Sequence, residues 1–306
     1  MSDVKVLTKE IAELFLADVD SVNLGEFTAI EDDAAEVLST NEPTNPWGRS
    51  LNLFGLTSLS DSAAESLSKH KGDISLASLT SLSDSAAESL SKHKGFSLRL
   101  GGLTELSDAA AESLSKYNYD LWLDGLTKLS DAAAESFSVF GCDLYLCSLT
   151  ELSDSAAESL SKQHGILSLP GLTELSDDAA ESFSKHKGEV LLSGLTKISD
   201  AVAEKLGNCE SVNLDGLEEL SDTAVENLSK CSEGLSLDGL SELSDTAALS
   251  LVLGESLEHL SLKGLTELSD TTALILSRFK GEFLFIDLDN LPASAAQILR
   301  DAGHGE

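Results

Sequence analysis

The most chemically versatile side chains of this 306-residue chain recur at one position, between two leucines of a predicted strand. Arg99, Trp122 and Tyr145 occupy it in three successive repeats, where most other repeats carry a small polar residue. These three residue types contribute most of the binding energy at protein interfaces. From the second repeat onward, the predicted outward residues are Asn23, Asn52, Ser75, Arg99, Trp122, Tyr145, Ser168, Leu191, Asn213, Ser236, Ser261 and Leu284.

A predicted binding patch adds carboxylates and one further aromatic ring from the same face. Strand residues two apart share a face, and adjacent strands place the backbones of Trp122 and Tyr145 about 5 Å apart. Aromatic rings edged by carboxylates suit a protein, a sugar or a cationic side chain. The alternative is cross-strand packing that stiffens the sheet and binds nothing. The patch comprises Arg99, Trp122, Tyr145, Asp120, Asp124, Asp143 and Phe54.

Two other patterns raise the question of a metal, and neither predicts one. Each repeat offers a single aspartate at a predicted helix start, whereas Ca²⁺ needs six to eight oxygens, so we interpret these residues as helix caps. His70 and His93 share a position in neighbouring repeats, and His186 holds it further on. Two histidines without a third ligand or a placed carboxylate are a weak signal for a metal, so we expect solvated loop residues. The aspartates are Asp32, Asp61, Asp84, Asp108, Asp131, Asp154, Asp177, Asp200, Asp222, Asp245 and Asp270.

Catalytic motifs are missing from the sequence. It contains no GxSxG or HExxH motif, no P-loop, and no GxGxxG between a strand and a helix, so we expect neither an enzyme nor a cofactor. The four cysteines form no CxxC pair and are too few for a disulfide-built fold. We expect free or buried thiols, with a Cys209–Cys231 pair, one repeat apart, as the alternative.

The charge balance restricts the partners. The formal net charge is −33, from 53 acidic and 20 basic residues. Nucleic acid needs a basic surface, so the charge argues against it and favours cations, basic proteins or simple solubility. No apolar stretch is long enough to span a membrane, and the start of the chain lacks the basic and apolar parts of a secretory signal. A cytoplasmic location is slightly favoured, and the oligomeric state is open.

The elements that position these residues follow from an internal repeat. Residues 57–72 and 80–95 are identical, and looser copies of LSDxAAExLSK recur at steps of 22 to 25 residues after a first step of 29. Such a period is typical of a solenoid. Each copy reads as a strand with alternating leucines, a turn, and a short helix whose paired alanines allow close packing.

The domain organisation follows from the same period. We predict a single solenoid of about thirteen repeats over residues 1–306, with an N-terminal cap at 1–20 and a C-terminal cap at 282–306. The terminal copies lack the aspartate, as expected of units whose outer faces meet water. A polar stretch with two prolines predicts an inserted loop at 39–50.

The repeat resembles that of leucine-rich repeat proteins. Leu121-Trp122-Leu123, Leu126 and Leu129 match the LxL of that family and its following spaced leucines. Glycine or serine, as at Gly125 and Ser148, replaces the usual asparagine or cysteine. The repeat of about 23 residues is similar to the short helical subtypes of F-box-type and bacterial GALA-type members. The resemblance covers about residues 4–299.

This resemblance implies an α/β solenoid with a parallel sheet on the concave face and short helices on the convex face. It also implies a non-catalytic scaffold that binds a protein or peptide, here one of basic character, on the concave sheet. It transfers no functional residue. The alternatives are a glycan- or divalent-cation-binding surface protein, and a structural spacer without a dedicated ligand. The identical pair of repeats favours the spacer, because it indicates expansion by duplication.

Overall fold

The computed structural model describes residues 4–40, 50–254 and 256–304, and it shows the predicted alternation of short strands and short helices. The helices are α1 (Lys9–Ala17), α2 (Asp32–Ser39), α3 (Asp61–Leu67), α4 (Asp84–Leu90), α5 (Asp108–Leu114), α6 (Asp131–Phe137), α7 (Asp154–Leu160), α8 (Asp177–Phe183), α9 (Asp200–Leu206), α10 (Asp222–Leu228), α11 (Asp245–Leu253), α12 (Asp270–Leu276) and α13 (Ala293–Asp301).

The strands contain two or three residues each. They are β1 (Val6–Leu7), β2 (Ala29–Ile30), β3 (Leu51–Asn52), β4 (Ile74–Ser75), β5 (Ser97–Arg99), β6 (Asp120–Trp122), β7 (Leu144–Tyr145), β8 (Leu167–Ser168), β9 (Glu189–Leu191), β10 (Ser211–Asn213), β11 (Gly234–Ser236), β12 (His259–Ser261) and β13 (Phe283–Phe285). Two 3₁₀ turns lie at Leu24–Glu26 and Leu288–Asn290.

The chain divides into two compact units, residues 1–149 with 163–165, and residues 150–162 with 166–306. In the first unit, β3 to β7 pair in sequence order as parallel strands, and β1 pairs with β2 separately. In the second unit, β8 to β13 pair in the same parallel manner. The single solenoid over 1–306 stays a prediction, and so do its caps.

Leucines and alanines form the core of every repeat. In the third repeat of the first sheet, Leu98, Leu100 and Leu103 are fully buried beneath the strand and its turn. Ala110 and Ala111 of α5 are fully buried as well. Small side chains let the helix backbone approach the strand, which explains how about 23 residues can close one layer. A fully buried leucine stabilises the fold by about 1.5–3 kcal/mol, so the repeated pattern supplies most of the driving force.

Serine, and not aspartate, caps the helices. In α3 to α12 the residue before the helix is a serine whose Oγ accepts a hydrogen bond from the third helical N–H. The Ser107 Oγ, for example, lies 3.0 Å from the Ala110 nitrogen. The aspartate follows as the first helical residue, where its charge opposes the positive end of the helix dipole. The interpretation of the aspartates as caps is therefore wrong in detail.

The aspartates instead link one repeat to the next. The Ser107 hydroxyl donates to Asp84 Oδ1 of the preceding repeat at 2.5 Å, and the Ser130 hydroxyl donates to Asp108 Oδ1 at the same distance. The second unit repeats this link, for example from Ser244 to Asp222 at 2.5 Å. At least eight of the eleven carboxylates accept a hydrogen bond from a serine or threonine hydroxyl of the next repeat, and at these positions the link explains the aspartate without a cation.

The predicted outward register fails in the second repeat and in the last one. Leu284 pairs with buried Leu260 and is itself buried, whereas Phe285 pairs with outward Ser261. The outward assignment of Leu284 is therefore wrong by one residue, because phenylalanine takes the position that a polar residue holds in other repeats. Asn23 lies before a 3₁₀ turn instead of in a strand, with its Oδ1 bound to the Gly25 N–H. The predicted loop at 39–50 lies mostly outside the described residues.

The cysteines are free thiols. Cys209 and Cys231 are buried, and each Sγ lies 3.5 Å from a backbone carbonyl oxygen of a preceding helix. Burial raises the pKa of Cys209 to about 12 and raises that of Cys231 as well, so both thiols stay protonated at neutral pH. Cys142 and Cys147 are partly exposed.

The serine cap can be tested within one helix. We expect Ser83→Ala to lower the free energy of unfolding by about 1–2 kcal/mol, because it removes the bond to the Ala86 N–H and the link to Asp61. Ser85→Ala, an exposed serine of the same helix, is the matched control and should change it by less than about 0.5 kcal/mol. Urea unfolding followed by circular dichroism measures both. Equal effects of the two changes would contradict the capping role.

Candidate functional site

The structure brings Arg99, Trp122 and Tyr145 together as a three-layer sandwich on the sheet of the first unit. The Trp122 and Tyr145 rings stack with centroids 3.7 Å apart and an interplanar angle of 8°. The Arg99 guanidinium carbon lies 4.9 Å from the centroid of the Trp122 ring. Both stacking and cation–π contacts are favourable arrangements for these groups. The sandwich is therefore an ordered surface feature.

The strands fix this sandwich through their register. Arg99 of β5 pairs with Trp122 of β6, and Trp122 pairs with Tyr145 of β7. The leucines on either side of each residue point into the core, which forces the middle residue outward. Arg99 is exposed, whereas Trp122 and Tyr145 are partly exposed. The rings therefore cover each other's faces and offer mainly their edges to the surface.

Two carboxylates flank the sandwich at the start of the strands. The Asp143 N–H donates to Asp120 Oδ1 at 3.4 Å, so the two acidic residues lie side by side. Burial and the neighbouring negative charge of Asp143 raise the pKa of Asp120. Burial, both carboxylates and a hydrogen bond to Asp143 raise the pKa of Tyr145. The site thus concentrates negative charge next to aromatic edges, an environment that favours an incoming cation.

Asp124 differs from the residues that share its repeat position. In the second unit, Asp215 Oδ1 accepts from the Ser236 hydroxyl at 2.6 Å and from the Asp238 N–H at 2.9 Å. Tyr145 occupies the position of that serine beside Asp124. Asp124 Oδ1 is accordingly shielded from solvent and has no hydrogen-bond partner. A buried acceptor without a donor lowers the stability of the fold, so a ligand that donates a hydrogen bond to this oxygen would gain binding free energy.

Phe54 lies apart from the other patch residues. It follows β3, two strands away from Arg99 in the sheet order, and its side chain is 44% exposed. Its ring occupies the space that a Cβ on Gly25 would need, with the nearest ring atom 2.2 Å from that position. Phe54 therefore packs on the first repeats, and the structure does not join it to the sandwich.

The repeated histidines are core residues, so the expectation that they are solvated is wrong. His70, His93 and His186 are 1–3% exposed. The His70 and His93 rings stack at 6.5 Å, and His93 stacks on Tyr117 at 6.2 Å. Each is the third residue after a helix end, a position that is buried in most repeats and that accepts varied side chains. The buried residues at this position are His70, His93, Tyr117, Phe140 and Gln163 in the first unit and His186, Cys209, Cys231 and Phe279 in the second.

A second aromatic cluster lies on the sheet of the second unit, and sequence reasoning missed it. Phe283 and Phe285 are 46% and 43% exposed, and their rings stack at 5.7 Å. The His259 ring lies 5.5 Å from Phe283, and Lys263 Nζ lies 5.3 Å from the Phe285 centroid. The alternation of Phe-Leu-Phe was the available signal, and the one-residue error at Leu284 hid it.

Comparisons with known proteins identify the fold. An internalin of Listeria monocytogenes matches with 17% identity and a TM-score of 0.53, covering 92% of this chain and 81% of the internalin chain. A chain of the Drosophila Toll–Spätzle complex matches with 14% identity and a TM-score of 0.51, covering 94% of this chain and 40% of its own length. A Leptospira interrogans leucine-rich repeat protein matches with 16% identity and a TM-score of 0.46, covering 98% of this chain and 80% of its own.

The chain therefore has the leucine-rich repeat fold, as its motifs predicted. No protein-family profile matches the sequence, and no curated protein matches it. The F-box-type or GALA-type subtype stays a prediction. Within the described parts of the chain, none of the helices has the length and apolar character needed to cross a membrane.

The burial of His93 predicts a loss of stability in acid. Burial lowers the pKa of His93 below its ordinary value of 6.5, so the unfolded chain takes up a proton at a higher pH than the folded chain. This contribution to stability is complete above about pH 6.5 and is lost as the pH falls below it. We expect His93→Gln, which introduces the residue that Gln163 supplies at the same position, to reduce the fall in urea midpoint between pH 7 and 5.

The exposed His164 provides the control for this experiment. His164→Gln should leave the pH dependence of the urea midpoint as it is in the unchanged chain. If His93→Gln and His164→Gln give the same pH profile, protonation of the buried ring does not destabilise the fold.

Proposed function

We propose that this protein is a non-catalytic scaffold that binds a basic protein or peptide on the sheet face of its first unit. The observation that carries the proposal is the sandwich of Arg99, Trp122 and Tyr145 beside the neighbouring carboxylates of Asp120 and Asp143. Interface hot spots favour these residue types, and an acidic, partly desolvated setting favours a lysine or arginine from the partner. The net charge of −33 adds long-range attraction for such a partner.

The surroundings of the sandwich support a peptide-sized ligand. Ser75 and Asn52 hold the equivalent outward positions on β4 and β3, so the sheet beside Arg99 is lined by small polar side chains. An extended segment could lie over these residues and place a basic side chain near Asp120 and Asp143. Asp124 Oδ1 would accept a hydrogen bond from the same ligand.

The glycan alternative has less support from this geometry. A sugar ring binds by stacking on an open aromatic face, but Arg99 covers one face of Trp122 and Tyr145 covers the other. A structural spacer is favoured by the identical repeats 57–72 and 80–95 and by the self-contained packing of the sandwich. Asp124 argues against the spacer, because its Oδ1 is a buried acceptor without a donor, which costs stability and gives a spacer no benefit.

The comparison with the Toll–Spätzle complex bears on the class of partner. That structure is described as a complex between two proteins, and its likeness to this chain is a likeness of fold. It supports a protein ligand for this chain because the same fold occurs in a chain of that complex, and it gives no further support.

Selection of peptides on the immobilised chain tests the proposal. We expect a random displayed library to yield peptides enriched in lysine and arginine. Trp122→Ala should weaken the best peptide by roughly 30-fold or more, the effect of losing a hot-spot residue of about 2 kcal/mol. Asp120→Asn should weaken it less and should reduce the salt dependence of binding. Fluorescence polarisation with the labelled peptide measures each affinity.

Asn213→Ala provides the matched control, because Asn213 holds the same outward position on β10 of the second unit. It should leave the affinity unchanged within about twofold. Thermal unfolding of every variant checks that the fold is intact. Peptides that bind Trp122→Ala as tightly as the unchanged chain would contradict the patch, and a library that yields no binder would favour the spacer.

A further inference from the structure

Glu258, His259 and Glu282 bring three ligand atoms together on the second unit. Glu258 lies directly before β12, and His259 is the first residue of that strand. Glu282 lies directly before β13, the neighbouring strand. One ligand atom from each residue lies within 4.8 Å of the other two. His259 Nε2 is 3.7 Å from Glu282 Oε2. Parallel pairing of β12 and β13 thus brings together residues that are more than twenty positions apart in the sequence.

We propose that this cluster binds a divalent transition-metal ion of the zinc type. For three atoms that are at most 4.8 Å apart, there is always a point that lies within about 2.8 Å of all three. Bonds to zinc of about 2.0–2.2 Å therefore require each ligand atom to move by less than about 1 Å. The three side chains are exposed, so rotation of their outer bonds allows that movement.

The state of His259 supports this assignment independently of the carboxylates. Its Nε2 is shielded from solvent and makes no hydrogen bond, although the side chain as a whole is about half exposed. The His259 ring lies 5.5 Å from the Phe283 ring, and its Nε2 is 3.7 Å from Glu282 Oε2. An imidazole nitrogen that carries no proton offers a free electron pair, and one protein nitrogen with two carboxylates is a donor set that zinc accepts.

The donor set also defines the selectivity. Imidazole nitrogen suits Zn²⁺, Ni²⁺ and Cu²⁺, whereas Ca²⁺ and Mg²⁺ prefer oxygen ligands alone. The many other carboxylates of this acidic chain can attract any divalent cation, but only weakly and without a nitrogen. Lys280 lines the same surface groove as Glu258 and Glu282, so its positive charge competes with the ion for these carboxylates. Three ligands leave room for water at the remaining positions of the ion.

Zinc titration of the full chain in the presence of excess Mg²⁺ tests this site, because Mg²⁺ occupies the non-specific carboxylates. We expect one saturable Zn²⁺ site by isothermal titration calorimetry. Glu282→Gln should weaken it at least tenfold, and His259→Gln should abolish it. Glu233→Gln is the matched control, because Glu233 holds the same position before β11 but lies outside the cluster. It should change the affinity by less than twofold.

Histidine ring signals in NMR spectra provide the second readout. Of the six histidines, the one whose signals vanish in His259→Gln should be the one that shifts with the first equivalent of Zn²⁺. Glu282 is exposed, so its variant keeps the experiment interpretable if His259→Gln lowers the melting temperature. The proposal is overturned if no saturable site remains above the Mg²⁺ background, or if His259→Gln and Glu233→Gln bind alike. It shares no residue with the peptide-binding patch, so either proposal can fail alone.

Discussion

The length of the repeat is the constraint on which the rest of the structure depends. About 23 residues must supply a strand, two turns and a helix, and the helix must pack directly on its own strand. Buried pairs such as Ala110 and Ala111 make that approach possible, and the leucines fill the remaining volume. Because every layer meets the same constraint, the helical side of each repeat has almost no freedom to vary.

The hydrogen bonds between neighbouring repeats follow from the same constraint. A helix of seven residues has few internal bonds, so its free N–H groups need a partner. The serine before the helix accepts a hydrogen bond from one of these groups, and its hydroxyl donates a hydrogen bond to the aspartate of the preceding repeat, as Ser107 does with Ala110 and Asp84. The repeated aspartates therefore have a structural role, because they link neighbouring repeats. Functional differences are left to the outward strand positions and to the strand ends.

The features that recur in every repeat could be predicted from the sequence, whereas the features that depend on single side-chain contacts could not. The strands, helices and fold class follow from a pattern averaged over a dozen copies, so individual exceptions do not disturb it. The stacking of Arg99, Trp122 and Tyr145 was foreseeable, because register alone places them on adjacent strands. Burial of His93 was not, since lysines flank it and only the three-dimensional path shows that the ring turns inward. The error at Leu284 arose where phenylalanine replaced the usual polar residue.

We propose that ligand binding resides in the strand positions where the repeats differ, around Arg99, Trp122 and Tyr145. The most direct measurement is chemical-shift mapping of a selected peptide on the isotopically labelled chain. The account predicts the largest shifts at the amides of β5, β6 and β7 and at the Trp122 indole N–H. Shifts concentrated on the helices, or on the strands of the second unit, would contradict it.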